Sequence, residues 1–325
     1  MRAMVVRTPG GPDVLELGES PEREPVRGEV RVSVRAAGVN RADLMQRQGS
    51  YPAPAGWPQD VPGLEYAGVV EAVGAGVESL AVGDRVMGLV GGGAYAEYVV
   101  VNERDTLRIP DRLTFAEAAA VPEAFITAHD ALFTRLGLGP GEWLLIHAVG
   151  SGVGTAGLQL ARAAGARVVG TSRSEWKLAR ATSEFGLDVP VDASDGFADA
   201  VLNATAGGVH AILDLVGGAY LAGNLRVLRT LGRQVVVGLT SGRSAQLDMG
   251  ALLSKRLTLV GTALRSRPLE QKIAATQLFA RQGLPLLGGG RVRPVVHETV
   301  PMAQAADAHR LLEENRTFGK VVLVW

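Results

Sequence analysis

Residues 143–159 read Trp143-Leu144-Leu145-Ile146-His147-Ala148-Val149-Gly150-Ser151-Gly152-Val153-Gly154-Thr155-Ala156-Gly157-Leu158-Gln159. A short apolar run enters a glycine cluster, and an Ala-rich helical pattern leaves it. Strand, glycine turn and helix in that order bring unpaired backbone N–H groups and a positive dipole end to one point, which is where a pyrophosphate binds. A literal G-x-G-x-x-G falls at Gly152, Gly154 and Gly157. In a chain with 42 glycines among 325 residues that string alone is weak; the strand before it, the helix after it and a second strand at the right interval make it specific. A tight turn with close helix packing and no ligand is the competing explanation.

Further strand candidates follow at Arg167 to Thr171, His210 to Val216, Arg233 to Gly238 and Leu257 to Thr262, with helices over Thr155 to Ala164 and Glu175 to Glu184. Apolar strands alternating with helices predict a parallel sheet covered on both faces. The first third differs. Glu29 to Arg35 alternates polar and apolar strictly, Gly68 to Val73 and Ala94 to Val101 are short β-rich runs, and Pro and Gly punctuate the gaps, as in a barrel or sandwich. Thr114-Phe115-Ala116-Glu117 is a capping box opening a helix. Pro268 to Arg281 and Pro301 to Glu314 read as helices with Pro in the first turn, and Val321 to Val324 as a closing strand.

Composition narrows the function. Lys+Arg and Asp+Glu are 33 each, so no electrostatic footprint for nucleic acid or an anionic membrane is present. Cysteine is absent, which removes disulfides, thiolate nucleophiles and sulfur-ligated zinc. No apolar run approaches the ~18 residues of a membrane helix, and no signal peptide is visible; a cytoplasmic protein is expected. The tip of the second strand, Thr171-Ser172-Arg173-Ser174, lacks the acid that would hold the ribose 2′-OH of NAD. Arg173, with Lys177 after it, suits a 2′-phosphate, which favours NADPH; solvated surface charges are the plain alternative.

The chain resembles the medium-chain dehydrogenases/reductases, specifically the zinc-free NADPH:quinone reductases. Ala37-Gly38-Val39-Asn40-Arg41-Ala42-Asp43 is similar to the family's N-terminal cofactor motif, and Gly141 through Gln159 resembles the quinone oxidoreductase/zeta-crystallin signature, departing at Val149 and Ser151. Pro122 to Ala128, Leu264-Arg265-Ser266-Arg267 and Gly319 to Leu323 add to a likeness that runs end to end. It looks closest to the branch of the tumour-suppressor-induced quinone reductase. Asn40 stands where the zinc branch has Cys and Leu64 where it has His, and the chain passes through Gly91-Gly92-Gly93-Ala94-Tyr95 where a structural-zinc lobe would lie.

The resemblance implies an α/β fold: a GroES-like β-barrel domain from 1–122 and 264–325 around a Rossmann doubly wound parallel sheet domain at 123–263. It implies NADPH held by Asn40, Thr127, Gly150, Ser151, Gly152, Val153, Gly154, Thr171, Arg173, Lys177, Gly238, Leu239, Thr262, Leu264 and Asn315, with Tyr51 and Asn40 as candidate catalytic residues and no metal. Ala193 replaces a Tyr that often packs near the adenosine phosphate. A homodimer is implied, paired through the strand near Leu257 to Thr262, and the expected reaction is reduction of a small-molecule quinone or enone in the interdomain cleft. An enone or enoyl reductase of the same superfamily, a non-catalytic crystallin-like NADPH holder and an RNA-binding protein are the rival functions.

Overall fold

The computed structural model describes residues 1–325. Two compact units divide it, Met1–Ile126 with Leu264–Trp325, and Thr127–Ala263. The sequence-based division put the first changeover at 123. The four residues of difference belong to Pro122–Ile126, a π-helical turn that packs on strands of the first unit.

The first unit opens with β1 (Arg2–Val6) and β2 (Leu15–Glu19), an antiparallel pair. β3 (Glu29–Val39), β4 (Glu65–Val73), β5 (Arg85–Leu89), β6 (Tyr98–Asn102) and β7 (Thr106–Arg108) follow. The strand read over Glu29 to Arg35 runs on to Val39, but the alternation stops at Arg35. Ala36 to Val39 are all buried, where β3 leaves β6, which pairs only with Glu29 to Ser33, and takes the closing strand Lys320–Val324 beside β4 as its neighbour. The run from Ala94 is strand only from Tyr98; before it a single bridge ties Ala96 to Ala3. Thr114 caps Phe115–Ala119 as its spacing predicts, accepting from the Glu117 N–H while the Glu117 carboxylate accepts from Thr114.

The second unit holds β8 (Trp143–Ile146), β9 (Arg167–Ser172), β10 (Val189–Asp192), β11 (Val209–Asp214), β12 (Leu228–Val236) and β13 (Thr258–Gly261). Their order in the sheet is β10-β9-β8-β11-β12-β13, all parallel. Numbered from β8, that is 3-2-1-4-5-6, the Rossmann order, with the reversal beside β8. All four β8 side chains are buried, as a strand covered on both faces requires.

The chain returns to the first unit through the helix Leu269–Gln282, then β14 (Val296–Pro301) and β15 (Lys320–Val324). β15 pairs with β3 and completes the sheet β14-β15-β3-β4-β5-β7. Pro301 ends β14 in an extended conformation, followed by a 3-10 turn at Met302–Gln304 and a helix at Ala305–Glu313. It is therefore not the first turn of a helix as expected; its missing N–H is tolerated at the end of an edge strand.

Candidate functional site

β8 ends at Ile146, and the chain turns through His147 to Ser151 into the helix Gly152–Ala163. The left-handed residue of the turn is Ala148, at φ 50°. Ser151 is the N-cap and its Oγ accepts from the Gly154 N–H at 3.1 Å. The N–H groups of Gly152 and Val153 have no intrahelical acceptor by construction. Two glycines have steric reasons. A Cβ on Gly154 would lie 2.5 Å from the Ala148 carbonyl oxygen and 2.7 Å from that of Val149, and one on Gly157 would lie 3.0 Å from Leu213 of β11. The first lets the turn lie against the helix end; the second lets the helix lie on the sheet.

A buried polar network sits beneath this turn. The Asp214 carboxylate at the end of β11 accepts from the N–H groups of Val216 and Gly217, from Gln234 and from Asn224. Because the Asn224 amide nitrogen faces Asp214, its oxygen faces His147 Nε2 at 2.7 Å, so that nitrogen carries the proton. His147 Nδ1 then accepts from the Thr171 hydroxyl at 2.9 Å. Burial lowers the His147 pKa, which keeps the ring neutral and this polarity fixed.

The expected second-unit residues gather at carboxyl ends of strands, where a doubly wound sheet binds ligands. Gly150 to Gly154 follow β8, Thr171 and Arg173 end β9, Gly238 and Leu239 follow β12, and Thr262 follows β13. The Thr171 hydroxyl is taken up by His147 and its carbonyl oxygen by the Val149 N–H, so this buried residue has no free side-chain group to offer a ligand. Arg173 is exposed and Lys177 half-buried on the next helix. One acid escaped the sequence reading: Asp192 ends β10 in register with Ser172. Its carboxylate accepts from the Ser194 N–H and hydroxyl. Gly238 donates to the Asp214 carbonyl, the Thr262 hydroxyl donates to Asp130, and Leu239 is exposed. The Thr127 hydroxyl oxygen is buried without a hydrogen-bond partner, which fits a residue waiting for a ligand's polar group.

In the first unit, Asn40 stands at the N-cap of Arg41–Arg47, but the cap bond runs from its backbone N–H to the Asp43 carboxylate at 2.7 Å. Its side-chain amide instead donates to Glu65 Oε1 at 2.9 Å and accepts from Lys320 Nζ at 2.5 Å. Glu65 is fully buried and pairs with Lys320 at 2.6 Å. A Cβ on Gly38 would lie 2.2 Å from Glu65 Oε1, so glycine there makes room for the ion pair. Leu64 is buried and offers no lone pair. Tyr51 is half-buried, with the Arg265 guanidinium 4.9 Å over its ring and donating to its carbonyl oxygen. Leu264 is buried, and Asn315, left-handed at φ 55°, accepts from Arg41. Sequence reasoning gave no role to Glu65, the neighbour of Leu64, nor to Arg265 and Lys320, which lie within the quoted motifs. A charge inside an otherwise apolar strand, as at Glu65 and Lys320, was the available signal.

A GroES-like unit interrupted by a 3-2-1-4-5-6 sheet with a glycine turn after its first strand is the architecture of the medium-chain dehydrogenases/reductases. The family description "Alcohol dehydrogenase GroES-like domain" matches residues 26–111, and "Zinc-binding dehydrogenase" matches residues 152–281. A quinone oxidoreductase from Pseudomonas aeruginosa is 36% identical over 97% of this chain and 97% of its own length. A pikromycin polyketide synthase component from Streptomyces venezuelae is 37% identical over 91% of this chain, which is 8% of that protein. Among solved structures, an NAD-dependent alcohol dehydrogenase has a TM-score of 0.89 at 35% identity over 100% of both chains. The Escherichia coli quinone oxidoreductase complexed with NADPH has a TM-score of 0.88 at 27% identity, again over 100% of both chains. The chain belongs to the medium-chain dehydrogenase/reductase superfamily, in its quinone oxidoreductase family, and is an oxidoreductase.

The zinc in one family description calls for three protein ligands at a catalytic site. Asn40 and Leu64 do not supply them, and the oxygens nearby, of Val39, Asn40 and Glu65, already surround the Lys320 ammonium. No three His, Asp or Glu side chains cluster at metal-holding geometry anywhere in the structure. No helix is long and apolar enough to cross a membrane.

Proposed function

We propose that this chain reduces quinones, or similarly activated enones, with NADPH and without zinc. The observation that carries the cofactor choice is the tip of β9, where Arg173 stands in place of an acid, while Asp192 at the end of the neighbouring β10 is engaged by Ser194. The P. aeruginosa and E. coli relatives support both quinone and NADPH; the NAD-dependent dehydrogenase of similar fold makes the cofactor preference the point to test. The ammonium-filled oxygen set at Glu65 supports zinc independence, and with no Lewis acid to polarise an alcohol, an easily reduced acceptor suits the site better.

Bound NADPH supplies the hydride. The Gly152 and Val153 N–H groups, with Gly150, Ser151 and Gly154 shaping the turn, hold its pyrophosphate at the helix N-terminus. Arg173 and Lys177 take the 2′-phosphate, and Thr127 offers its unpartnered hydroxyl to the nicotinamide ribose. Gly238, Leu239 and Thr262 contribute backbone near the nicotinamide. Tyr51, held by Arg265, lines the acceptor's place, and Asn40 is a strut there, since both ends of its amide are occupied. A cytoplasmic homodimer belongs to this reading; β13 is an edge strand with exposed ends and one free side.

A panel of quinones and enones assayed with NADPH and NADH side by side tests it. Arg173→Ala should raise the KM for NADPH roughly 10-fold, the low end for one charge-assisted hydrogen bond at an exposed site, and leave the KM for NADH unchanged. An equal change for both cofactors would sink the 2′-phosphate role. A second reading, an enone or enoyl reductase, is favoured by the polyketide synthase component; saturation of a defined enone faster than any quinone would select it.

A further inference from the structure

Glu123 lies in the π-helical turn Pro122–Ile126, an irregularity common at functional sites. Its backbone N–H donates to Glu65 Oε2 at 2.8 Å. Its own carboxyl makes no hydrogen bond or ion pair with the protein, although the residue is half-buried. Carboxyls removed from water normally find partners, and every neighbouring acid has done so: Glu65 with Lys320 and Asn40, Asp43 with Asn40 and Gly63.

The charged groups facing Glu123 are Glu65 from β4, Lys320 from β15, Asp43 from the helix Arg41–Arg47, and Arg265. Burial first, then the Glu65 charge, pushes the Glu123 pKa up to about 7; Asp43 adds to the rise while Lys320 and Arg265 oppose it. An unpartnered acid that still reaches solvent and holds a proton near neutral pH has the properties of a general acid.

We propose that Glu123 is the proton donor of the reduction, giving its proton to the carbonyl oxygen of the acceptor. The proposal rests on the reductase reading above. The acceptor gains a hydride at one end of its conjugated system, and the displaced electron pair comes to rest on its carbonyl oxygen. The Glu123 O–H bond breaks and a new O–H bond forms on that oxygen, so a quinone leaves as hydroquinone and a simple enone as its enol. The cofactor is oxidised, and the Glu123 carboxylate regains a proton from water. A neutral carboxylic acid thus does beside Lys320 and Asn40 what an electrophilic metal would do for a developing oxyanion.

The test compares wild type, Glu123→Gln and Glu123→Asp. Wild-type kcat should fall as pH rises through about 7, the pH at which Glu123 loses its proton. Glu123→Gln should lower kcat roughly 100-fold, within the usual range for a lost general acid, and abolish that limb of the profile. Glu123→Asp should restore part of the rate. NADPH affinity, measured by fluorescence titration, should match wild type in both variants. Independently of turnover, carbon-13 NMR of glutamate-labelled protein should show one carboxyl titrating near 7 that is missing from Glu123→Gln. Wild-type kcat and pH profile in Glu123→Gln, or no such carboxyl resonance, overturns the assignment of Glu123 alone. Failure of the wild-type protein to oxidise NADPH with any acceptor overturns the reductase reading beneath it.

Discussion

Lys320→Met is expected to destabilise the first unit by about 3–5 kcal/mol, the cost of leaving a buried charge without its partner, and to lower the melting temperature by on the order of 10 °C. Glu65 is 0% exposed and Lys320 5% exposed. Glu65 would keep the Asn40 amide and the Glu123 N–H but lose its only ion-pair partner. The ammonium also bonds the Val39 carbonyl and the Asn40 amide oxygen, so its removal frees those acceptors in a dry place as well. The check is a thermal or urea melt of Lys320→Met beside the double variant Glu65→Gln/Lys320→Met. Removing both charges should recover much of the loss, because a buried ion pair as a whole contributes little compared with the penalty for breaking it. Equal stability of the two variants would show that the pair is not coupled.

Gly154→Val should abolish useful dinucleotide binding while the sheet survives. A Cβ there meets two backbone carbonyls at 2.5 and 2.7 Å, so no side-chain rearrangement relieves it; the turn from Ala148 to Ser151 must move off the helix end. The Gly152 and Val153 N–H groups would then no longer point at a common place. Losing one or two charge-assisted hydrogen bonds, worth about 1.5–3 kcal/mol each, weakens binding roughly 10-fold to 20,000-fold. Fluorescence titration with NADPH measures the loss, and far-ultraviolet circular dichroism tells it apart from unfolding. Wild-type affinity with an intact fold would mean that the turn is not the seat of the pyrophosphate.

Much of the second unit was legible because its information is local. An apolar run such as Trp143 to Ile146, a glycine turn and an N-cap Ser151 fall within a dozen residues, and the alternation repeats until the sheet is specified. β10 was missed because Val189-Pro190-Val191-Asp192 is too short, and too marked by Pro, to show a period. The role of Asp192 was lost with it. Pro301 was misread for a different reason: φ near −60° suits a helix start and an extended strand end alike. The first-unit site was the least legible part. Asn40, Glu65, Glu123 and Lys320 lie on four separate segments, and nothing in local pattern pairs Asn40 with a lysine 280 residues away. Of the four only Asn40 was given a role from the sequence; what Glu65, Glu123 and Lys320 do depends on the company the fold brings to each.

The pairing of β15 with β3 has a consequence for synthesis. Thr127–Ala263 is one continuous stretch and can collapse as soon as it leaves the ribosome, since domains fold as units when their sequence is complete. The surrounding unit begins earlier but must wait, because its strand partner and the cation for Glu65 emerge last. Until then Glu65 keeps its water, and the nascent β3 presents an unpaired edge. The surrounding unit is thus begun before the enclosed one and closed only after it, with the β3 edge open in between.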